Sequence, residues 1–309
     1  MIHFAFHRRS FLNPQFEQLL NSAFSVNDYA TSFPHIFSER AGVLIATAAE
    51  TSGEIRALCA VDSEFWSEPR FLRGACIGSV AVAPNAQGQG LGGALLKWVI
   101  EQLLALRLHD FAYLFSQPRS FYEGLGFTAA GTEGLYSFKP KLARGSPSRD
   151  HRLIPPCEIS LLEPMTRARL WCALERGRKS GESHADWTKF ETLCGLSGMH
   201  VSWLESNEGH IFAGAFIGKG IDFKGVMHTI FADSDSLAEI FVREFCGDYS
   251  ELSQQILVAP GLWSSVLTKL LLPSQSQTLC LVRGLEVPTE NCVELISSAR
   301  IYPRSLFSS

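Results

Sequence analysis

The sequence lacks the cysteine spacing, the long apolar runs and the basic excess that mark several large classes of protein. Its eight cysteines are scattered, and no two stand at the C-x-x-C spacing of zinc ribbons and thioredoxin-type sites. No apolar run approaches the ~18 residues of a membrane span, and Met1–Phe11 has no signal-peptide core. The 27 lysines and arginines against 31 acids give a net charge of −4, which disfavours nucleic-acid binding. We therefore expect a cytoplasmic protein with free thiols, no metal, and neither a membrane nor a nucleic-acid partner.

The length and the apolar content predict two packed domains. At ~150 residues per domain, 309 residues favour two, and 46% hydrophobic against 19% charged residues can fill two cores. The clearest break in composition is a basic, proline-rich stretch without hydrophobic periodicity. It contains five basic residues and Asp150, and we interpret it as a solvated linker rather than a phosphate-binding segment. The predicted boundaries are a first domain over 1–140, a linker over 141–156 and a second domain over 157–309.

Both halves show the same order of elements, which predicts a duplicated α+β fold. In the first half we predict strands at 2–6, 42–49, 55–65, 71–82, 111–115 and 134–138, with helices at 14–24, 91–108 and 119–124. In the second half we predict strands at 158–162, 201–205, 210–217, 226–231, 255–258 and 279–282, with helices at 166–175, 237–245 and 263–271.

A glycine-rich turn joins the strand that ends at Val82 to the long helix that begins at Leu91. Glycine has no Cβ, so its backbone can approach an anion closely, and the first N–H groups of a helix are unpaired. These groups and the positive end of the helix dipole form a site for a pyrophosphate. The alternative interpretation is an ordinary strand-to-helix turn.

The glycines Gly88-x-Gly90-x-x-Gly93 also fit the dinucleotide fingerprint, but their context does not. Residues 83–87, including a proline, separate the strand from the first glycine, and about eighty residues of mostly β structure precede the turn. The only acid at a suitable distance, Asp110, stands before the next strand rather than after it. No Lys-Ser/Thr pair follows the glycines, which also excludes a Walker loop.

Two motifs that follow one another along the chain resemble those of the GNAT superfamily of N-acetyltransferases. Gln87-x-x-Gly90-x-Gly92, preceded by Val82-x-Pro84, matches the superfamily's Q/R-x-x-G-x-G/A signature. The run from Phe121 to Phe127 looks like the F-Y-x-x-x-G-F that ends the family's acetyl-CoA site. The resemblance covers about residues 2–138. It implies a mixed, mainly antiparallel sheet flanked by helices, acetyl-CoA as cosubstrate and an amine as acceptor.

The resemblance also implies roles for particular residues. The backbone amides around the signature residue Gln87 are expected to hold the pyrophosphate of coenzyme A, namely those of Gly88, Gly90, Leu91, Gly92 and Gly93. The strand Val80, Ala81 and Val82 should splay from 111–115 and pair with the pantetheine arm. The N–H of Val82 would then polarise the thioester carbonyl. Tyr122 matches the family's general acid, the alternative being an aromatic ring packed beside Phe121 and Phe127.

The general base is not readable from the residues. Asp62, Glu64 and Glu68 lie near the expected acceptor groove, and we interpret each as a solvated carboxylate at a strand end or in the following turn. Arg119 and Lys97 are candidates for the 3′-phosphate of the coenzyme, with an exposed cation as the default interpretation of each. A non-catalytic acyl-CoA sensor or scaffold is therefore the alternative function. A monomer is compatible with a duplicated chain, which supplies both partner surfaces itself.

The second half lacks the features that bind the coenzyme in the first. Its equivalent turn has no glycines and carries Asp233 and Asp235, which would repel a pyrophosphate. No F-Y-x-x-x-G-F follows it. We therefore expect a degenerate GNAT-like domain that leaves the coenzyme unbound. We interpret His210 and His228, on its strands, as core or surface histidines rather than residues of an acceptor pocket.

Overall fold

Two compact units make up the protein in the computed structural model. The structure describes residues 1–8, 13–38, 40, 42–116, 119–138, 150–184, 186–220, 222–249, 255–258, 263, 269–298 and 300. Unit 1 combines Met1–Gly131 with the described residues from Thr278 onward, and unit 2 comprises the described residues of Thr132–Gln277. Across these described stretches, no helix is long and apolar enough to cross a membrane.

The elements alternate between strands and helices as the sequence predicts. The first half forms strands β1 (Ile2–His7), β2 (Leu44–Glu50), β3 (Ile55–Trp66), β4 (Leu72–Val82), β5 (Phe111–Leu114) and β6 (Thr128–Phe138). Its helices are α1 (Pro14–Phe24), α2 (Tyr29–Ser32), α3 (Pro34–Phe37), α4 (Leu91–Leu106) and α5 (Arg119–Glu123). The second half forms strands β7 (Arg152–Glu158), β8 (His200–Glu205), β9 (Ile211–Lys219), β10 (Asp222–Ala232), β11 (Gln255–Val258) and β12 (Leu271–Gly284). Its helices are α6 (Pro164–Arg176), α7 (Trp187–Leu193), α8 (Asp235–Tyr249) and α9 (Thr289–Ser297).

The strands of unit 1 follow the order β1-β2-β3-β4-β5-β12. The pairs β1–β2, β2–β3, β3–β4 and β5–β12 are antiparallel, and β4–β5 is parallel. Helix α4 covers one face with Leu95, Val99 and Leu103. Helices α1 to α3 cover the other face, where Phe16 and Leu20 of α1 are buried. The fold class is therefore the predicted one, a mixed and mainly antiparallel sheet flanked by helices.

Unit 2 repeats this topology with the order β7-β8-β9-β10-β11-β6. Here β10–β11 is the parallel pair, as β4–β5 is in unit 1. Helices α6 and α7 pack against the sheet through Leu170, Phe190 and Leu193. The same strand order with its parallel pair in the same place confirms the predicted duplication.

The two halves of the chain exchange their last strands. Strand β12 pairs with β5, placing Leu281 opposite Leu114, while β6 pairs with β11, placing Tyr136 opposite Ile256. The prediction assigned 134–138 to the first half and 279–282 to the second, so the units differ from the predicted domains 1–140 and 157–309. The predicted strands 134–138 and 279–282 are both mainly apolar and both follow a predicted helix, so their sequence pattern fits either sheet, and only long-range pairing decides between them.

Of the predicted linker 141–156, residues 141–149 lie outside the described residues, and residues 150–156 are described. Strand β7 begins inside it at Arg152, whose guanidinium contacts Glu205 of β8 at 2.7 Å. The predicted strand 158–162 is the end of β7 followed by a short 3-10 helix, Ile159–Leu161. The predicted helix 263–271 lies largely outside the described residues.

Candidate functional site

Strands β4 and β5 separate early in unit 1. Their pairing ends where Cys76 lies opposite Tyr113, although β4 continues to Val82. A bulge in β4 accompanies the separation, because Leu58 pairs with Ala81 and Ala60 with Gly78, which leaves Ser79 and Val80 opposite one residue of β3. Ser79 adopts a left-handed φ of 50°, and the hydroxyl groups of Tyr29 and Ser79 lie 3.2 Å apart.

The end of β4 directs the backbone of Val82 into this separation. The N–H of Ala83 donates to the carbonyl of Arg56 at 2.8 Å, so the neighbouring Val82 turns its N–H and C=O away from β3. That is the side from which β5 has diverged. The carbonyl of Val82 accepts a hydrogen bond from Gln87 Nε2 at 3.2 Å, which closes the loop that follows.

The glycine loop presents unpaired backbone amides next to this strand end. Gly88 and Gly90 have φ of +75° and +77°, which glycine adopts without strain, and a Cβ at either position would meet no atom within 4 Å. The first hydrogen bond of helix α4 runs from the N–H of Ala94 to the carbonyl of Gly90, at 3.0 Å. Within the described parts of the chain, the N–H groups of residues 88–93 have no backbone acceptor. At Gly92, a Cβ would lie 3.1 Å from Val82 Cγ2, so the helix starts against the strand.

Tyr122 is buried on α5, with 6% of its surface exposed. Its ring makes edge contacts with Phe121, at 4.9 Å between centroids, and Phe127, at 6.2 Å. Burial raises the pKa of the phenol, and a hydrogen bond with the Ser116 side chain acts in the opposite direction. The hydroxyl therefore keeps its proton at neutral pH, as a proton donor must.

Two carboxylates of β3, opposite the part of β4 that still pairs with β5, are buried, contrary to the expectation of solvated strand ends. Asp62 and Glu64 are each 4% exposed, whereas Glu68 is exposed as expected. They alternate with Val61, which packs under α4, so they lie on the opposite face of the sheet. Burial first, then the charges of Cys76, Glu64 and Asp62, raise the pKa of Tyr113 well above its usual value.

The two candidate cations for the 3′-phosphate differ in their surroundings. Lys97 lies exposed on α4, in agreement with the default interpretation. Arg119 donates from Nη2 to the hydroxyl of Thr278 on β12.

In unit 2, side chains and backbone fill the position that corresponds to the glycine loop. Arg176 and Lys179, at and just after the end of α6, contact Asp233 and Asp235 at 2.7 Å each. Gly177 packs so closely that a Cβ there would lie 2.7 Å from the backbone nitrogen of Ala232. The hydroxyl of Ser234 accepts from Leu237 N–H at 3.3 Å and so caps α8. Both carboxylates are thus engaged with cations of the same unit.

The histidines of unit 2 match the interpretation given from the sequence. His228 is fully buried, donates from Nε2 to the carbonyl of Gly218 at 3.0 Å, and has its pKa lowered to about 4, chiefly by burial. His210 is exposed and lies 3.4 Å from Asp233. Where the structure describes the chain, no group of three or more His, Cys, Asp or Glu residues is arranged to hold a metal ion.

Known proteins share this fold. A family described as "Acetyltransferase (GNAT) domain" matches residues 39–129. A conserved protein of unknown function from Enterococcus faecalis V583, described as a probable N-acyltransferase, superposes with a TM-score of 0.70 at 14% identity. The superposition covers 94% of this chain and 74% of the Enterococcus chain. A GCN5-related N-acetyltransferase from Anabaena variabilis ATCC 29413 gives 0.66 at 13% identity, with 92% and 73% covered. A tandem GNAT protein from the clavulanic acid biosynthesis pathway gives 0.53 at 10% identity, with 92% and 99% covered. No curated protein sequence matches the chain.

Residues 39–129 match an acetyltransferase family, and the chain shares its fold with N-acetyltransferases of known structure. Both motifs lie within this matched stretch, which confirms the resemblance to the GNAT superfamily that they carry. The tandem GNAT fold extends over more than nine-tenths of the chain's length.

Sequence reasoning missed several residues that shape the site. The bulge at Ser79 and its contact with Tyr29 have no sequence signal, because a serine within a strand pattern does not predict a positive φ. Ser116 lies just beyond the predicted strand, and its contact with Tyr122 depends on tertiary packing. Thr278, which accepts from Arg119, comes from a strand that the sequence assigned to the other half.

The close contact at Gly177 predicts a large effect of one methyl group. Gly177→Ala should lower the stability of unit 2 by ~1–3 kcal/mol, because backbone atoms of Ala232 cannot move aside as a flexible side chain can. Gly195→Ala is the matched control, since a Cβ there would lie 3.4 Å from its nearest neighbour, the carbonyl oxygen of Thr192. Urea unfolding followed by tryptophan fluorescence includes unit 2, which contains four of the six tryptophans, and equal midpoints for the two variants would contradict the prediction.

The buried phenol of Tyr113 predicts a loss of stability at high pH. Above pH 10.0 the unfolded chain ionises this tyrosine while the folded chain keeps it protonated, so the free energy of unfolding falls as pH rises. One such group contributes a slope of about 1.4 kcal/mol per pH unit. In Tyr113→Phe this part of the decline should disappear, as measured by urea unfolding between pH 9 and 11. An unchanged slope would show that Tyr113 ionises equally in both states.

Proposed function

We propose that the protein is an acetyl-CoA-dependent N-acetyltransferase that transfers an acetyl group to a primary amine. The observation that carries the proposal is the row of unpaired amides at residues 88–93, which opens helix α4 beside the separated end of β4. Such a row, at the positive end of a helix dipole, binds linked phosphates through its backbone and needs no charged side chain.

The cosubstrate binds along this row and continues into the separation of the strands. The amides of Gly88, Gly90, Leu91, Gly92 and Gly93 hold the pyrophosphate. The pantetheine arm pairs with Val80, Ala81 and Val82 in the place that β5 leaves open. Gln87 contributes by fixing the loop to the Val82 carbonyl. The N–H of Val82, turned into the separation, then donates to the thioester carbonyl.

The reaction is a direct attack of the amine on the thioester. The neutral amine adds to the carbonyl carbon, the new C–N bond forms, and the oxyanion is stabilised by the backbone donor. The amine loses a proton to water, the C–S bond breaks, and Tyr122 donates its phenolic proton to the leaving sulfur. The tyrosinate then recovers a proton from the same water, which balances the cycle. The raised pKa of Tyr122 keeps the donor protonated before each turnover.

The acceptor approaches from the face of the sheet opposite α4. Helix α4 flanks the coenzyme on one face, and Tyr122 packs into the core beneath that helix. On the other face the buried carboxyl group of Asp62 lies opposite Cys76, where the pairing of β4 with β5 ends, and a carboxylate there attracts the protonated form in which amines predominate at neutral pH.

Unit 2 does not bind a second coenzyme. The salt bridges of Asp233 and Asp235 and the packing of Gly177 on Ala232 support this, because together they occupy the position that corresponds to the glycine loop. One mole of coenzyme per mole of chain is therefore expected.

The general acid is tested by Tyr122→Phe. With acetyl-CoA and a panel of amines, release of free coenzyme thiol should fall by ~10²–10⁴-fold in the variant, because the phenol supplies the proton of the leaving group. The affinity for acetyl-CoA, measured by calorimetry, should stay unchanged. Tyr136→Phe in unit 2 is the matched control. Wild-type binding without thiol release for any amine would favour a non-catalytic sensor, and equal turnover in Tyr122→Phe would exclude this residue as the acid.

The anion site is tested by Gly90→Ala. A side chain at φ +77° costs about 1 kcal/mol and turns the loop amides away from the phosphates, so acetyl-CoA affinity should fall by roughly tenfold or more. Gly198→Ala in unit 2 has a matching φ of +78° and equally open space, so it controls for strain alone. Equal affinities of the two variants would contradict binding at this loop.

A further inference from the structure

The helix that carries Tyr122 is too short to hold its own orientation. Helix α5 spans only Arg119–Glu123, and isolated helices of fewer than ~12 residues are marginal in water. The direction of the Tyr122 hydroxyl therefore depends on the contacts that fix both ends of α5.

Both ends of α5 are fastened to the same strand, β12. At the start of the helix, Arg119 donates from Nη2 to the hydroxyl of Thr278. After its end, Arg283 donates from Nη1 to the carbonyl of Leu125. Thr278 and Arg283 stand at the two ends of the part of β12 that belongs to unit 1, and Arg283 lies opposite Ala112 of β5.

The turn held by Arg283 is tied directly to Tyr122. The carbonyl of Tyr122 accepts hydrogen bonds from Leu125 N–H at 2.9 Å and Phe127 N–H at 3.1 Å. Between them Gly126 has a φ of +82°, and a Cβ there would lie 3.4 Å from Nη1 of Arg283. The guanidinium therefore holds the carbonyl of the turn and packs against its glycine, so a shift of Arg283 is passed to the backbone of Tyr122.

The end of β12 is itself anchored against β5. The backbone N–H of Gly284 donates to the Thr289 hydroxyl at 2.9 Å, and the N–H groups of Leu285 and Glu286 lie 3.0 Å from the carbonyl of Asp110, just before β5. Arg283 thus extends from a fixed backbone, which gives its side chain a defined reach to Leu125.

We propose that Arg283, together with Thr278, is a positioning residue of the acetyl transfer, holding α5 so that the Tyr122 hydroxyl meets the sulfur of the coenzyme. The inference rests on the proposed role of Tyr122. The proton donor of unit 1 is then aligned by a strand that the chain reaches only after passing through unit 2. Arg283 touches neither cosubstrate nor acceptor in this account.

The first measurement is a double-mutant cycle. Arg283→Ala should lower kcat about tenfold, because a displacement of an ångström costs up to ~10²-fold, while the affinity for acetyl-CoA stays unchanged. Arg283→Lys, which keeps one donor for the Leu125 carbonyl, should restore most of the rate. In the Tyr122→Phe background, Arg283→Ala should have no further effect, since it acts through the phenol. An undiminished effect in that background, or a matching loss of coenzyme affinity, would overturn the proposal.

The second measurement does not require turnover. Fluorotyrosine incorporated into the full chain gives a fluorine signal for residue 122, assigned by its loss in Tyr122→Phe. Arg283→Ala and the isosteric Thr278→Val should each shift that signal, whereas Arg243→Ala, on an arginine that contacts Glu239 on α8 of unit 2, should leave it in place. Signals unmoved by either substitution would overturn the positioning role. A shifted signal in a protein that acetylates no amine would support the positioning role and overturn the proposed function alone.

Discussion

Strands β4 and β5 hydrogen-bond to each other over only a few residues, and the site depends on that early separation. Beyond Cys76 the outer edge of β4 carries backbone groups that β5 does not satisfy. A strand edge of this kind can pair with an extended chain, which is the role that we propose for the pantetheine arm of acetyl-CoA. The bulge at Ser79 and the turn of Val82 away from β3 both follow from how β4 ends.

The two units share one sheet topology but differ at the turn between the fourth strand and the helix that follows it. In unit 1 glycines keep the start of α4 open to an anion, and the first turn contacts Val82 closely because Gly92 has no side chain. In unit 2 the end of α6 covers the corresponding strand end, and Arg176 and Lys179 contact Asp233 and Asp235 there. The difference lies in a few residues at one turn, since the strand orders of the two units correspond.

The exchange of the last strands makes each unit depend on the other half of the chain. Strand β12 supplies Leu281 to the core of unit 1, and Arg283 to the turn after α5. Neither unit therefore corresponds to a continuous stretch of sequence that could be cut out with its sheet complete. A strand carries its pattern of apolar residues locally, but the sheet edge it joins is chosen by all the strands together.

The sequence by itself determined the features that rest on local chemistry. The glycines at 88, 90 and 92, the helix from Leu91 and the order of strands are readable because backbone freedom, helix starts and apolar periodicity are local properties. Only the tertiary structure decided the burial of Asp62 and Glu64, the partner of Arg119 and the sheet to which β6 and β12 belong. Each of these depends on residues far apart in the chain, and a local pattern does not encode which distant surface covers a side chain or pairs with a strand.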